Sequence, residues 1–165
     1  FFYPSSYSQG LHIRTGRMNM LNTLLVPVDD SSLVKKMIKK LPSTLDITNK
    51  TIYLIHVSDP YYENIYSESA LSEYYISEKA HKEMCKNLSN LFFEKYKKAL
   101  VNAGKIQIIH VYNSNVPESI VTAAKKYKVD GIIMASHRYK GVDNVLLGNK
   151  AHKVIVSSKL PILIL

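Results

Sequence analysis

Cysteine is nearly missing from this chain: Cys85 is alone among 165 residues. An intrachain disulfide and a thiolate metal cluster are thereby excluded, and a reducing compartment fits. Long apolar runs are missing too. Nothing approaches the ~18 residues of a membrane span, so no membrane partner and a cytoplasmic location are expected. No two histidines stand at His-x3-His spacing, which leaves no basis for a structural metal. Zinc-finger, helix-turn-helix and RNA-platform motifs are absent. Arginine occurs only at Arg14, Arg17 and Arg138. Residues 1–17, FFYPSSYSQGLHIRTGR, contain neither lysine nor acid, and the first methionine is Met18. We read 1–17 as a leader, either a tag remnant or a disordered extension, without the apolar core of a secretory signal. Residues 18–165 are then a single domain, long enough to bury a core.

The formal net charge is +9. It comes from lysines grouped at 35–40, 79–86, 95–98 and 125–128, each group within a helix-like segment and mostly opposite its apolar side. Solvated helix faces explain such a pattern better than a nucleic-acid stripe, so no nucleic-acid partner is expected.

Short β-branched runs alternate with amphipathic stretches. TLLVPVDD (23–30) reads as a buried strand. In the stretch after it, Leu33, Met37 and Leu41 recur at helical steps, with Ser31 or Ser32 as cap and Pro42 as a stop. KTIYLIHVSD (50–59) is a second strand. A long helix from Glu78 is expected to bury Ala80, Met84, Leu88, Leu91, Phe92, Tyr96 and Ala99, with Asn102 and Gly104 ending it. KIQIIHVY (105–112) is a third strand, VPESIVTAAKKYKV a third helix with Pro117 in its first turn, and DGIIMAS a fourth strand. A helix over about 149–157 and the strand LPILIL close the chain. Strands alternating with helices imply an α/β domain: a three-layer, doubly wound parallel sheet covered on both faces. Its ligand cleft lies outside the carboxyl ends of the central strands. Those ends are Val28-Asp29, Val57-Ser58 and Ala135-Ser136, so the loop ASHRYKGVDNVLLGN (135–149) borders the cleft.

Four stretches in order carry a family likeness: LLVPVDDS, LIHVSD, VPESIVTAAKKYKVDGIIMASH and LLGNKAHKVIVSSKLPILIL. From about Leu21 to its end the chain resembles the universal stress proteins. The resemblance implies a Rossmann-like sheet, of the adenine nucleotide alpha-hydrolase-like kind, with five parallel strands in order 3-2-1-4-5. It also implies a homodimer, often formed by pairing of the final strands, here 161–165; an unpaired apolar edge fits that. One branch of the family binds ATP or AMP through Gly, two residues, Gly, nine residues, then Gly-Ser or Gly-Thr. In this chain Ala135 and Arg138 take the first two glycine positions, Tyr139 to Leu147 fill the interval, Gly148 is kept, and Asn149 takes the Ser/Thr position. The spacing is kept while one glycine of three remains.

Glycine allows positive φ and close approach of a ligand to backbone. Ala135 adds only a methyl. Arg138 would crowd a backbone-bound phosphate, and a left-handed conformation would cost it roughly 1–2 kcal/mol. Yet an arginine is the best side chain for a phosphate, and Lys150 adds charge. Asn149 can cap the following helix, whose amides attract anions. The resemblance gives Asp29 a ribose contact; helix capping is an equal reading of it. Pro27, Val28, Val57 and Met134 would flank an adenine, and the last two also suit a core. Ser136 adjoins His137, which lies in the loop and could approach a phosphate. His56 and His110 read as hydrogen-bonded structural histidines and His152 as solvated. Cys85 reads as a semi-buried inert thiol. The tyrosine-rich stretch 61–75 suits a lid, a partner surface or a cover for the sheet edge.

The expected function is a stress-response protein acting through dimer and partner contacts, with no catalytic residues and no certain cofactor. The alternative is a regulatory switch binding ATP or AMP, with Mg, in the cleft at strands one and four. A nucleotide hydrolase ranks third, for want of a base or a metal site.

Overall fold

A computed structural model describes residues 21–60, 77–135, 137–138, 145–146 and 148–165. The leader and the tyrosine-rich stretch lie outside them. The elements are β1 (Thr23–Pro27), α1 (Ser32–Thr44), β2 (Thr51–Ser58), α2 (Glu78–Ala99), β3 (Lys105–Tyr112), α3 (Val116–Lys126), β4 (Gly131–Met134), β5 (His137–Arg138), β6 (Val145–Leu146), α4 (Asn149–Ser157) and β7 (Ile162–Ile164). Five of the strands form one sheet in the order β3-β2-β1-β4-β7, and all its neighbours are parallel. This is the expected 3-2-1-4-5 topology, with β7 as the fifth sheet strand.

Period-two alternation divides the core into two layers. Leu24, Val26, Ile52, Leu54 and Ile133 face α1 and α2, where Met37, Ile38, Leu41, Phe93 and Tyr96 meet them. Leu25, Ile55, Ile132 and Met134 face Ile120, Ala124, Ala151 and Val154 of α3 and α4. β1 and β4, at the centre, are buried on both faces, which is why they read as unbroken apolar runs.

Three local expectations are corrected. Pro42 does not stop α1; it sits inside the last turn, and the helix runs on to Thr44. A proline so close to a helix end deletes one backbone bond without a following turn to disrupt. In α2 the buried positions are His81, Ser89, Phe93 and Tyr96, while Met84, Leu88 and Leu91 are exposed. The inward face is the one whose polar members find partners: the Ser89 hydroxyl donates to Cys85 O at 2.7 Å. The loop after β4 is not wholly irregular, since β5 and β6 pair antiparallel, His137 with Leu146 and Arg138 with Val145.

At the amino ends of β1 and β4, far from the cleft, Asp130 ties two strands together. One carboxylate oxygen accepts from Asn22 N–H at 2.9 Å, Thr23 N–H at 2.8 Å and Thr23 Oγ1 at 2.8 Å. Burial alone would raise its pKa, but these bonds outweigh that and hold it below the ordinary carboxylate value. A depressed folded-state pKa means the stabilisation is full above the unfolded value near ~4 and is lost as pH falls through the folded value. Asp130→Asn should therefore cost about 1–2 kcal/mol at pH 7, allowing for partial solvent exposure. It should also flatten the dependence of stability on pH below ~4. Urea melts of both proteins at pH 3 and pH 7 check this; an equal loss at the two pH values contradicts it.

Candidate functional site

The carboxyl ends of β1, β2 and β4 open into a cavity of about 370 Å³ at the point where strand order reverses. Its size lies within the usual range for small-molecule sites, ~300–1,000 Å³. Nine residues singled out from the sequence line it: Pro27, Val28, Asp29, Val57, Met134, Ala135, Gly148, Asn149 and Lys150. Ser136 lies outside the described residues. For His137 and Arg138 the structure gives the strand pairing of their backbones.

Each wall has a local cause. β1 ends at Pro27, and Asp29 then turns the chain: its Oδ1 accepts from Ser31 N–H at 2.9 Å. The cap of α1 is Ser31, whose Oγ accepts from Val34 N–H at 3.3 Å, so Asp29 shapes the turn before the helix and does not cap it. Tyr96 reaches across from α2 and donates its hydroxyl to Asp29 O at 2.6 Å. Burial, then Asp29 and Asp30, push the Tyr96 pKa up to about 12, so this hydroxyl keeps its proton throughout the physiological range. Beside it, Asp30 pairs with Lys35 at 2.7 Å and Lys95 at 3.7 Å. The Lys35 hydrogen bond leads the causes that lower the Asp30 pKa.

His56 at the end of β2 is a wall residue that sequence reasoning classed as structural. Both descriptions hold. Its Nδ1 lies 2.7 Å from Val28 O, and its ring meets Phe92 edge-on at 5.1 Å. A carbonyl only accepts, so Nδ1 carries the hydrogen. On the next strand His110 stacks at 6.1 Å from His56, and its Nε2 is 2.8 Å from Ser58 Oγ. Burial, then His56 and Lys86, hold the His110 pKa below the ordinary histidine value. Cys85, partly buried, has its Sγ 3.5 Å from His81 Nε2.

The opposite wall is the start of α4. The helix begins at Asn149 with Gly148 as its cap residue, and no side chain caps it. Asn149 is thus the first helical residue and not the cap. The first amides of an α-helix have no intrahelical acceptor, and those of Asn149, Lys150 and Ala151, all at the cavity, have none among the described residues. Ile120 and Val116 of α3, with Leu33 and Val34 of α1, complete the apolar lining. They were missed because nothing in a helix sequence says which of its inward residues lies beyond the sheet's end. Among the described residues no cluster of three or more His, Cys, Asp or Glu could hold a metal ion. No described helix is long and apolar enough to cross a membrane.

The two lost glycines are not required by backbone conformation. Lys128, with φ 50°, is the non-glycine residue of positive φ among those described. Arg138 lies in a strand, so the left-handed cost does not arise.

Comparison with known proteins gives one family model, described as the universal stress protein family, matching residues 20–165. No curated protein sequence matches. Among solved structures, the hypothetical protein MJ0577 is similar at 28% identity, with TM-score 0.66 over 88% of this chain and 96% of its own. A universal stress protein from Archaeoglobus fulgidus, solved in complex with dAMP, has 14% identity and TM-score 0.55 over 86% of this chain and 95% of its own. One from Arabidopsis thaliana, solved with AMP bound, has 14% identity and TM-score 0.53 over 87% of this chain and 90% of its own.

Proposed function

Since the chain belongs to the universal stress protein family, we propose that it is a regulatory protein that binds an adenine nucleotide in the cavity between β1 and β4. The observation that carries this reading is the uncapped start of α4 facing that cavity. Free helix amides and the helix dipole favour an anion there by ~0.3–2 kcal/mol. Lys150 adds a full charge at the same rim. Pro27, Val28, Met134 and Ile120 provide apolar surface for a base, and Asp29 stands where a carboxylate can accept from ribose hydroxyls. Val57 offers main-chain groups to the edge of the base. The dAMP and AMP complexes of the two distant relatives support the ligand class. None of these roles needs glycine at position 135 or 138, so an open cavity turns the balance from a purely adaptor-like protein towards a nucleotide-responsive one.

The sheet ends on β7, whose half-buried strand Ile162–Ile164 pairs on one side with β4. Its other edge, unpaired among the described residues, favours pairing with a second copy over residues 161–165. A nucleotide bound beside β4, the strand that pairs with β7, would couple binding to the dimer and to partner contacts.

Calorimetric titration tests the proposal. Protein stripped of carried-over ligand by unfolding and refolding is titrated with AMP and ATP, with and without magnesium. Micromolar binding is expected. No heat at millimolar nucleotide, with an unchanged melting temperature, would return the family's partner-contact reading to first place.

A further inference from the structure

In a parallel ladder the hydrogen bonds alternate at even spacing. Between β1 and β2 the amino-terminal rung is Thr51 N–H to Asn22 O at 2.8 Å, and the rung past the end of β1 is Val28 N–H to Ile55 O at 2.8 Å. Continuing the alternation, the next rung would be Val57 N–H to Val28 O. It is not formed. Val28 O instead accepts from His56 Nδ1 at 2.7 Å, and the paired register stops at Pro27 with Ile55. The neighbouring carbonyl, Asp29 O, accepts from Tyr96 at 2.6 Å. Two side chains from outside β1 thus take consecutive carbonyls of its exit turn. The Val57 N–H, on the β1 side of the strand, is left without an acceptor among the described residues, at the wall of the cavity.

We propose that His56 is a positioning residue: by taking Val28 O in place of the Val57 amide, it parts β1 from β2 at the cavity floor and keeps the Val57 main chain available to a ligand's base edge. Tyr96 fixes the same turn from α2, and Phe92 holds the imidazole in place. The alternative state is built into the strand: without a donor at position 56, the Val57 amide closes the ladder and withdraws from the cavity. This rests on the adenine-nucleotide reading for the identity of the ligand, though the parting of the strands does not depend on it.

The experiment is residue-resolved amide hydrogen exchange on the whole chain, with AMP and adenosine titrations alongside. In the wild type without ligand, the Val57 amide should exchange at least about tenfold faster than the laddered Ile55 amide. His56→Phe keeps an aromatic ring but removes the donor, and Val57 exchange should slow by about tenfold as the ladder closes. Affinity for adenosine and for AMP should fall together, about tenfold, because the change lies on the base side. His56→Asn returns a donor near the Nδ1 position and should keep wild-type exchange at Val57 and most of the affinity. A Val57 amide already protected in the wild type overturns the inference, even if the phenylalanine variant fails to fold. Unchanged exchange in that variant, or an asparagine variant that matches it, overturns it equally. Should the wild type bind neither AMP nor adenosine, the nucleotide proposal falls, and the exchange data still decide the role of His56.

Discussion

Asn149→Asp should weaken AMP binding by about tenfold to fiftyfold, leave adenosine binding within about twofold, and raise the melting temperature slightly. The three results have one cause. Asn149 is the first residue of α4, whose cap residue Gly148 supplies no side chain. A carboxylate there interacts favourably with the positive end of the helix, by ~0.3–1 kcal/mol, and so stabilises the fold. The same carboxylate occupies the electrostatic place proposed for a phosphate. Two unit charges ~5 Å apart at an effective dielectric of ~20 repel by roughly 3 kcal/mol, and screening at the open rim reduces this to about 1.5–2.5 kcal/mol. Adenosine carries no phosphate and escapes the penalty. Calorimetry with both ligands and a thermal melt measure the whole set. A matched loss of AMP and adenosine would mean that the substitution disturbs the pocket's shape, and an unchanged AMP affinity would place the phosphate elsewhere.

Much of this architecture is legible before any coordinates, and the reasons are particular. β1 and β4 are central strands with both faces covered, so Leu24-Leu25-Val26 and Ile132-Ile133-Met134 stand out as unbroken apolar runs. α1 is legible because Met37, Ile38 and Leu41 are both periodic and buried. α2 was misread because its apolar stripe and its inward face differ. Met84, Leu88 and Leu91 give the stronger pattern and stay exposed, while His81 and Ser89 go inside. Side-chain hydrogen bonding to a helix carbonyl makes a buried serine inexpensive, and no periodicity count registers that.

A cavity lies at the strand ends that the sequence points to, because a parallel sheet of known strand order has its switch point at fixed strand ends. Glycine content misled more. The motif's spacing is kept across Ala135, Arg138 and Gly148, and its missing glycines drew attention to backbone conformation. In the folded chain Arg138 takes extended backbone, and the feature proposed to attract an anion is the helix start after Gly148. Residues that act through long-range contacts left the least trace. Tyr96 meets Asp29 across 67 positions, and His56 meets Val28 across 28. Each looks like an ordinary core aromatic until the strand ends are assembled.

Gly104→Ala should destabilise the protein by about 2–3 kcal/mol, a melting-temperature fall of roughly 6–10 °C for a domain of this size. A glycine near a helix end suggests a left-handed cap, which was the expectation for α2. The helix in fact ends at Ala99 with Leu100 as cap, and Leu100 N–H bonds to Tyr96 O and Lys97 O. Gly104 is needed for closeness instead. A Cβ on it would lie 2.7 Å from Thr48 O and 3.1 Å from both Asn49 C and Asn49 Cα, all main-chain atoms. That chain cannot easily give. Asp46 Oδ1 accepts from Thr48 N–H at 3.0 Å and Thr48 Oγ1 at 2.7 Å, and the N–H groups of Lys50 and Gly104 both reach Ile47 O. Moving Thr48 away would stretch these bonds and shift Lys50, whose carbonyl begins the β2–β3 ladder by accepting from Lys105 N–H at 3.0 Å. Since the clash is with a carbonyl, truncating the Thr48 side chain should not rescue the variant. Thermal melts of Gly104→Ala, of Thr48→Ala and of the double substitution measure this. A double variant as stable as Thr48→Ala alone would show that the crowding lies in the side chain, against the contact distances.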